Sequence, residues 1–352
     1  MSDAVDVSVL VPVLNEERHL PAALAAMRAQ ELDGTFELIF VDGRSSDGTR
    51  TLLERFAAED PRIRVLDNPA RRTAAGLNVG LRAARGRYIA RMDAHAVYPP
   101  QYLRRGIARL QRGDHVVWVT GPQIPEGNGA WSRRVALALG SWVGRGGQSD
   151  KWPGAIDGRP EEEVPLTTSV FTGVWERDEL LRLGGWDEGW PVNQDAEMAA
   201  RVLARGGGIV CRPDMGARYI PRNTLRGLAR QYGRYGFYRA KTMLRHPGSL
   251  PKSRLLPVAV LLSAFAVLLP WRPVQLLGLA GLATYLVGLT VVTLRARRRA
   301  GDDTPALPVV FATMHLSWAV GFLLGLARNL PRLRSVRSWP APIVEEEIRE
   351  AA

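Results

Sequence analysis

Asp93 and His95 sit two positions apart in IARMDAHAVYPP (residues 89–100), just after an apolar run ends at Met92. In an extended segment, residues i and i+2 point to the same side, so one ligand could meet both side chains. A carboxylate beside an imidazole suits a divalent cation; Mg²⁺ prefers oxygen, so the histidine favours Mn²⁺. The plainer alternative is a strand-end aspartate in a turn beside a surface histidine. A further carboxylate, Asp195, heads an amphipathic stretch after GGWDEGWPVNQ. A helix N-terminus favours negative charge, which suits a base that deprotonates an attacking hydroxyl and equally suits a plain cap. Trp186 and Trp190 nearby could stack on a sugar face or fill the core.

Other polar residues cluster where apolar runs end. Pro12 follows VSVLV, and Asn15 and Glu16 open the next helical stretch; they could hold a ring or hydroxyls of a ligand, or Asn15 could serve as a helix cap. Asp42 lies one residue past the run LIFV and can accept hydrogen bonds from a base N–H or a ribose hydroxyl. Asp47 reads as a cap for the stretch that follows. Arg71 and Arg72 precede TAAGLNVG, where a diphosphate would gain from guanidinium groups and exposed amides. The small residues of that stretch are explained as well by close packing on a sheet.

The elements that must position these residues alternate regularly. Strands are expected at Val7–Val11, Glu37–Val41, Ile63–Leu66, Tyr88–Met92 and Val116–Thr120, with helices at Glu17–Ala29, Gly48–Glu59, Ala74–Ala84 and Pro100–Gln111. This alternation predicts an α/β fold with a mostly parallel sheet covered on both faces. Ligands of such sheets bind outside the carboxyl ends of the strands, where Pro12, Asp42 and Asp93 fall. Residues 121–165, rich in Gly, Pro and charge, read as a long surface excursion. A strand is expected at about Thr168–Phe171, helices at Arg177–Leu183 and Asp195–Arg205, and a short strand at Ile209–Cys211.

The chain has 352 residues, a net charge of +12 and one cysteine, Cys211, which excludes an intramolecular disulfide. Its N-terminal stretch lacks the basic and apolar regions of a signal peptide, so synthesis is expected to begin in the cytosol. Arginines 218, 222, 226, 230 and 234 recur every fourth residue with Leu225, Leu228 and Tyr232 between them, as in a basic amphipathic helix on the cytosolic leaflet. No nucleic-acid motif accompanies the charge. Residues 255–269, 274–294 and 307–326 contain no Asp, Glu, Lys or Arg, and a bilayer span needs about 20 apolar residues. The second and third meet that length. Arginines 295 and 297–299 follow the second segment, and Arg328, Arg332, Arg334 and Arg337 follow the third. The positive-inside rule would keep both groups cytosolic, which three full crossings cannot do. Either the first or third segment does not cross fully, or the rule is broken here.

The order of these features is more telling than any one of them. P-x-x-N-E (12–16), V-D-G-x-S-x-D-G-T (41–49), a D-x-D-like pair (93–95), a carboxylate after G-G-W-D (184–187), Q-x-x-R-Y (231–235) and membrane segments follow in turn. Together they resemble an inverting family 2 glycosyltransferase of GT-A fold over residues 5–246, closest to bacterial exopolysaccharide glucosyltransferases of the succinoglycan type.

The resemblance implies that Pro12, Asn15, Glu16, Asp42, Arg72 and Asp93 bind the nucleotide sugar, with Asp42 on uracil. Asp93 and His95 would hold a divalent metal, Mn²⁺ or Mg²⁺, and Asp195 would be the catalytic base. Gln231, Arg234, Tyr235 and Trp190 would contact acceptor and diphosphate. Three residues depart from the family pattern: His95 and Gln194 stand in place of Asp and Glu, and Tyr235 in place of Trp, which favours transfer of a single sugar. The expected organisation is a GT-A domain (1–217), basic interfacial helices (218–254), a membrane region of two to three hydrophobic helices (255–330) and a cytosolic or peripheral tail (331–352). The expected partners are a UDP-sugar, a lipid-linked saccharide and the inner (plasma) membrane, with the catalytic domain in the cytosol. A polyprenyl-phosphate sugar transferase and a non-catalytic nucleotide-sugar-binding membrane protein are the alternatives.

Overall fold

The structure, a computed structural model, describes residues 5–141, 143–144, 163–168 and 172–344, with backbone alone for 297–303. The chain divides into two units. The first comprises Met1–Ile124, Lys151–Tyr219 and Trp339–Ala352, the second Pro125–Asp150 and Ile220–Ser338.

The first unit alternates strand and helix: β1 (Val7–Val13), α1 (Leu20–Arg28), β2 (Phe36–Asp42), α2 (Thr49–Glu59), β3 (Ile63–Asp67), α3 (Thr73–Ala83) and β4 (Tyr88–Arg91). Then come β5 (Ala96–Val97), α4 (Tyr102–Leu110), β6 (Val116–Thr120) and β7 (Gln123–Pro125). One helix of the second unit, α5 (Ala130–Leu139), intervenes. The first unit resumes with β8 (Val164–Pro165), β9 (Gly173–Glu176), α6 (Arg177–Leu183), α7 (Gln194–Ala204), β10 (Gly208–Cys211) and β11 (Ala217–Tyr219).

Eight strands form one sheet in the order β3-β2-β1-β4-β9-β6-β10-β8, and β5-β11-β7 form a small second sheet. Strands β1 to β4 are mutually parallel, as are β6 and β10, while β9 runs antiparallel between β4 and β6. Both faces are covered. Val7, Val9 and Val11 of β1 pack with Leu20, Leu24 and Met27 of α1 on one side, and Leu10 packs with Leu77 and Leu81 of α3 on the other. Burial on both faces is why these strands read as nearly continuous apolar runs. Glycines on α3 serve this packing, since a Cβ on Gly80 would stand 3.0 Å from Leu10.

Three sequence expectations change. The strand expected at about Thr168–Phe171 falls partly on residues outside the described set (169–171), and the paired strand is Gly173–Glu176. The excursion 121–165 is not all loop: Ala130–Leu139 is a helix, capped by Asn223, whose Oδ1 accepts from the Trp131 and Ser132 amides at 3.2 and 3.0 Å. Helix α1 starts at Leu20 rather than Glu17, with Pro21 in its first turn, where a proline costs no hydrogen bond.

The second unit is helical: besides α5 it holds α8 (Leu225–Arg245), α9 (Leu256–Val267), α10 (Arg272–Ala300), α11 (Leu307–Asn329) and α12 (Leu333–Arg337). Thr224 caps α8, its hydroxyl accepting from the Gly227 amide at 3.1 Å. Helix α10 and the stretch around α11 are each long and apolar enough to cross a membrane. The 12 residues of α9 rise only about 18 Å at 1.5 Å per residue.

Candidate active site

The site is built at the carboxyl end of the parallel strands. Register places Pro12 opposite Val41 and Val13 opposite Asp42, so the loops after β1 and β2 leave the sheet side by side. They are stitched together. The Asn15 amide donates to Ser45 Oγ at 2.9 Å, Asn15 Oδ1 accepts from the Ser46 amide at 2.8 Å, and Ser45 Oγ donates to Asp42 Oδ1 at 2.6 Å. Asn15, Arg44, Arg71 and Asn193 have positive φ, between 55° and 61°. Non-glycine residues adopt that conformation at a cost and gather at functional loops; these four lie in the loops that carry Glu16, Asp42, Arg72 and Asp195. Asp42 is buried (3 % exposed) with one oxygen turned to Ser45.

At the end of β4, Arg91 grips Asp93 with two hydrogen bonds, Nε to Oδ1 at 2.9 Å and Nη2 to Oδ2 at 3.1 Å. Tyr98 Oη accepts from the Asp93 amide at 2.7 Å and fixes the backbone there. Burial works against the charge on Arg91, but the carboxylates of Asp93 and Asp195 more than offset it and hold the guanidinium protonated. That coupling brings Asp195, at the start of α7, into the same electrostatic cluster as Asp93. The Nη1 atom of Arg91 is buried and has no hydrogen-bond partner among the described residues. Sequence reading missed Arg91, although the period-2 rule that grouped Asp93 with His95 puts residue 91 on the same side.

His95 meets Glu16 across the loops: its Nδ1 lies 3.3 Å from Glu16 Oε1, while His19 Nδ1 lies 3.0 Å from Oε2. Burial pushes the Glu16 carboxyl up, yet the two imidazoles outweigh it and hold Glu16 below its ordinary range. Desolvation opposes charge on His95, although 45 % of its side chain is exposed, and the hydrogen bond to Glu16 with the charge of Asp93 raises it above its ordinary value.

The loop carrying Trp186 and Trp190 is pinned from two sides. Asn78 of α3 accepts from the Trp186 amide at 2.9 Å and donates to its carbonyl at 2.8 Å, and Arg72 Nη1 donates to the Glu188 carbonyl at 3.2 Å. From α7, Arg201 donates to the carbonyls of Leu183 and Gly185 and is paired with Glu197, both side chains fully buried. Trp190 is 1 % exposed. Arg72 spends one nitrogen on the loop. Gln231, Arg234 and Tyr235 belong to α8 in the second unit, where Gln231 Nε2 donates to Tyr235 Oη at 2.8 Å.

Among the described residues, no three His, Cys, Asp or Glu side chains converge as a ligand set. Asp93 and His95 stand two residues apart, with His95 Nδ1 turned to Glu16, which leaves Nε2 for a cation. These two side chains are of types that a divalent ion takes as ligands, with both Asp93 oxygens also accepting from Arg91.

Residues 8–161 match the profile of Glycosyl transferase family 2, and the chain belongs to that family. It is 32 % identical to succinoglycan biosynthesis protein ExoA of Rhizobium meliloti (strain 1021), over 89 % of this chain and 93 % of the relative. A second relative, 21 % identical over 92 % of this chain and 98 % of its own, is the dolichyl N-acetyl-alpha-D-glucosaminyl phosphate 3-beta-D-2,3-diacetamido-2,3-dideoxy-beta-D-glucuronosyltransferase of Methanococcus voltae. Among solved structures, the mannosyltransferase PcManGT of Pyrobaculum calidifontis, in complex with GDP-Man and Mn²⁺, aligns at TM-score 0.51 and 21 % identity. The alignment covers 91 % of this chain and 86 % of that one, and shows that the two share the GT-A fold.

Proposed function

We propose that the chain transfers a single sugar, with inversion, from a UDP-sugar to a hydroxyl of a lipid-linked saccharide during polysaccharide synthesis at the cytosolic face of the inner membrane. The observation that supports this most is the two-bond Arg91–Asp93 pair at the end of β4, with Asp195 at the start of α7 adding to the negative charge around Arg91. Together they combine a carboxylate base with a carboxylate whose orientation a buried guanidinium fixes. Asp42, Asn15, Glu16 and Pro12 line the nucleotide side. The names of the two relatives, one for succinoglycan biosynthesis and one for a dolichyl phosphate-linked sugar, support a lipid-linked acceptor.

In this reading Asp195 takes the proton from the acceptor hydroxyl. The oxygen then attacks the anomeric carbon from the face opposite UDP. The bond to the phosphate oxygen breaks, and UDP leaves with the electron pair. Arg91 holds Asp93 oriented toward the nucleotide sugar. A divalent cation, Mn²⁺ or Mg²⁺, would be held by Asp93 and His95, and its chemistry is to offset the charge of the diphosphate. Gln231, Arg234 and Tyr235 of α8 are assigned to acceptor and diphosphate.

Asp195→Asn tests the base. General base catalysis contributes about 10²–10⁴-fold, so turnover in membranes supplied with donor should fall by that range while donor binding persists. Unchanged turnover would show that another group takes the proton. Base treatment of the product separates acceptors, since a labile sugar phosphate would mark direct transfer to a polyprenyl phosphate.

A further inference from the structure

The two arginine groups that flank α11 conflict with the positive-inside rule only if α11 crosses the bilayer. Residues from Trp339 onward belong to the first unit again, where the Ile343 amide donates to the Leu181 carbonyl at 3.0 Å. The chain that leaves that unit after Tyr219 is therefore back on the same side by Trp339, and the crossings between are even in number. Two solutions that insert α10 satisfy this. Either α10 and α11 both cross, or α9 and α10 enter and return while α11 stays at the surface.

The packing of α11 decides between them. Helices α8 and α11 run parallel, in contact along their length. Leu228 shares a cluster with Val310 and Met314, Gly236 meets Trp318 and Phe322, Gly325 meets Phe237 and Ala240, and Arg245 Nε donates to the Val336 carbonyl at 2.6 Å. Glycines bring the two backbones together: a Cβ on Gly236 would stand 2.0 Å from the Trp318 carbonyl oxygen, and one on Gly321 2.0 Å from that of Gly233. Whatever depth α11 reaches, α8 must reach as well. Yet α8 exposes Arg226, Arg230 and Arg234, and charged side chains are expelled from hydrocarbon.

The exposed apolar residues agree. On α11 Val309, Leu316, Val320 and Leu324 form one stripe, whereas on α10 Leu276, Leu277, Leu279, Leu286, Val287 and Val291 are exposed on several sides. A helix apolar all round suits hydrocarbon, and a striped one suits an interface. Helix α9 packs antiparallel on α10, with Ser263 against Gly278 and Gly281, so the pair forms a hairpin.

We propose that α11 does not cross the membrane. It lies with α8 in the plane of one leaflet, its stripe toward the acyl chains, and the α9–α10 hairpin is the inserted element. This rests on the membrane reading above, and it places both arginine groups on one side.

The test uses the full chain in sealed vesicles of one orientation, with Cys211→Ala to remove the native thiol. Pro305→Cys and Ser335→Cys, before and after α11, are each labelled with a membrane-impermeant maleimide and normalised to labelling in detergent. Both should label from the same side, to within about twofold of each other. Labelling from opposite sides would overturn the proposal. An alkaline carbonate wash that released the chain would overturn the membrane reading itself, and this proposal with it.

Discussion

Glu16 bridges His95 and His19, and the signs of its shifts predict how the pair responds to pH. The Glu16 carboxyl is held below its ordinary 4.5, so its contribution to stability is present above 4.5 and is lost as pH falls through the lowered value. His95 is raised above its ordinary 6.5, so its contribution is complete below 6.5 and is lost as pH rises through the raised value. Glu16→Gln should therefore destabilise the protein most between about pH 4.5 and 6.5 and least in mild alkali. Imidazole NMR should show the His95 titration moving to lower pH in that variant; an unmoved titration would mean that Glu16 does not hold His95. At this scale Asp42 and Asp93 stood out in the sequence because each carboxylate follows an apolar run, and Asp195 because it heads an amphipathic stretch. Arg91 was not, since an arginine inside a buried strand makes sense only once its bidentate partner is seen. The burial of Trp190 was not legible either, because an indole in a Gly-rich loop looks the same in sequence whether it is buried or presented.

Among elements, α7 does two jobs: it carries Asp195 at its start and clamps the preceding loop through Arg201. The Glu197–Arg201 pair is fully buried, and removing one member of such a pair costs about 3–5 kcal/mol because the other charge is left uncompensated. Glu197→Ala should lower stability by that range in chemical denaturation; a loss under about 1 kcal/mol would show that the carbonyls of Leu183 and Gly185 suffice for Arg201. Strand and helix positions from β1 to β6 were readable to within a few residues, since each element carries its own apolar period. Helix α5 was not. Its apolar face is matched by Leu307, Val310 and Phe311 of α11, far away in sequence, and its flanking Gly and Pro residues resemble loop.

At the scale of the whole chain, the segment after α12 returns to the first unit. Trp339 lies 5.3 Å from the Arg205 guanidinium, and Ile343 is bonded to Leu181. Deleting residues 339–352 should cost more than about 1–2 kcal/mol, since one exposed cation–π contact and one backbone hydrogen bond are lost together with the packing of Ile343 on the core. Retention in the membrane should be unchanged, because the α9–α10 hairpin is intact. Thermal melts and membrane fractionation of the truncated chain check the two halves separately.

The amino-acid sequence alone determined the α/β class, the family, the strand-end carboxylates and the presence of long apolar segments. Each depends on local period or on residue type at a strand end, which neighbouring residues set. Tertiary structure decided that Arg91 grips Asp93, that Glu16 joins His95, that Trp190 is enclosed, and that α11 runs against α8. Those outcomes depend on which distant surface covers a side chain. An apolar helix reads the same in sequence whether lipid or protein covers it, and only the contact between α8 and α11 distinguishes the two.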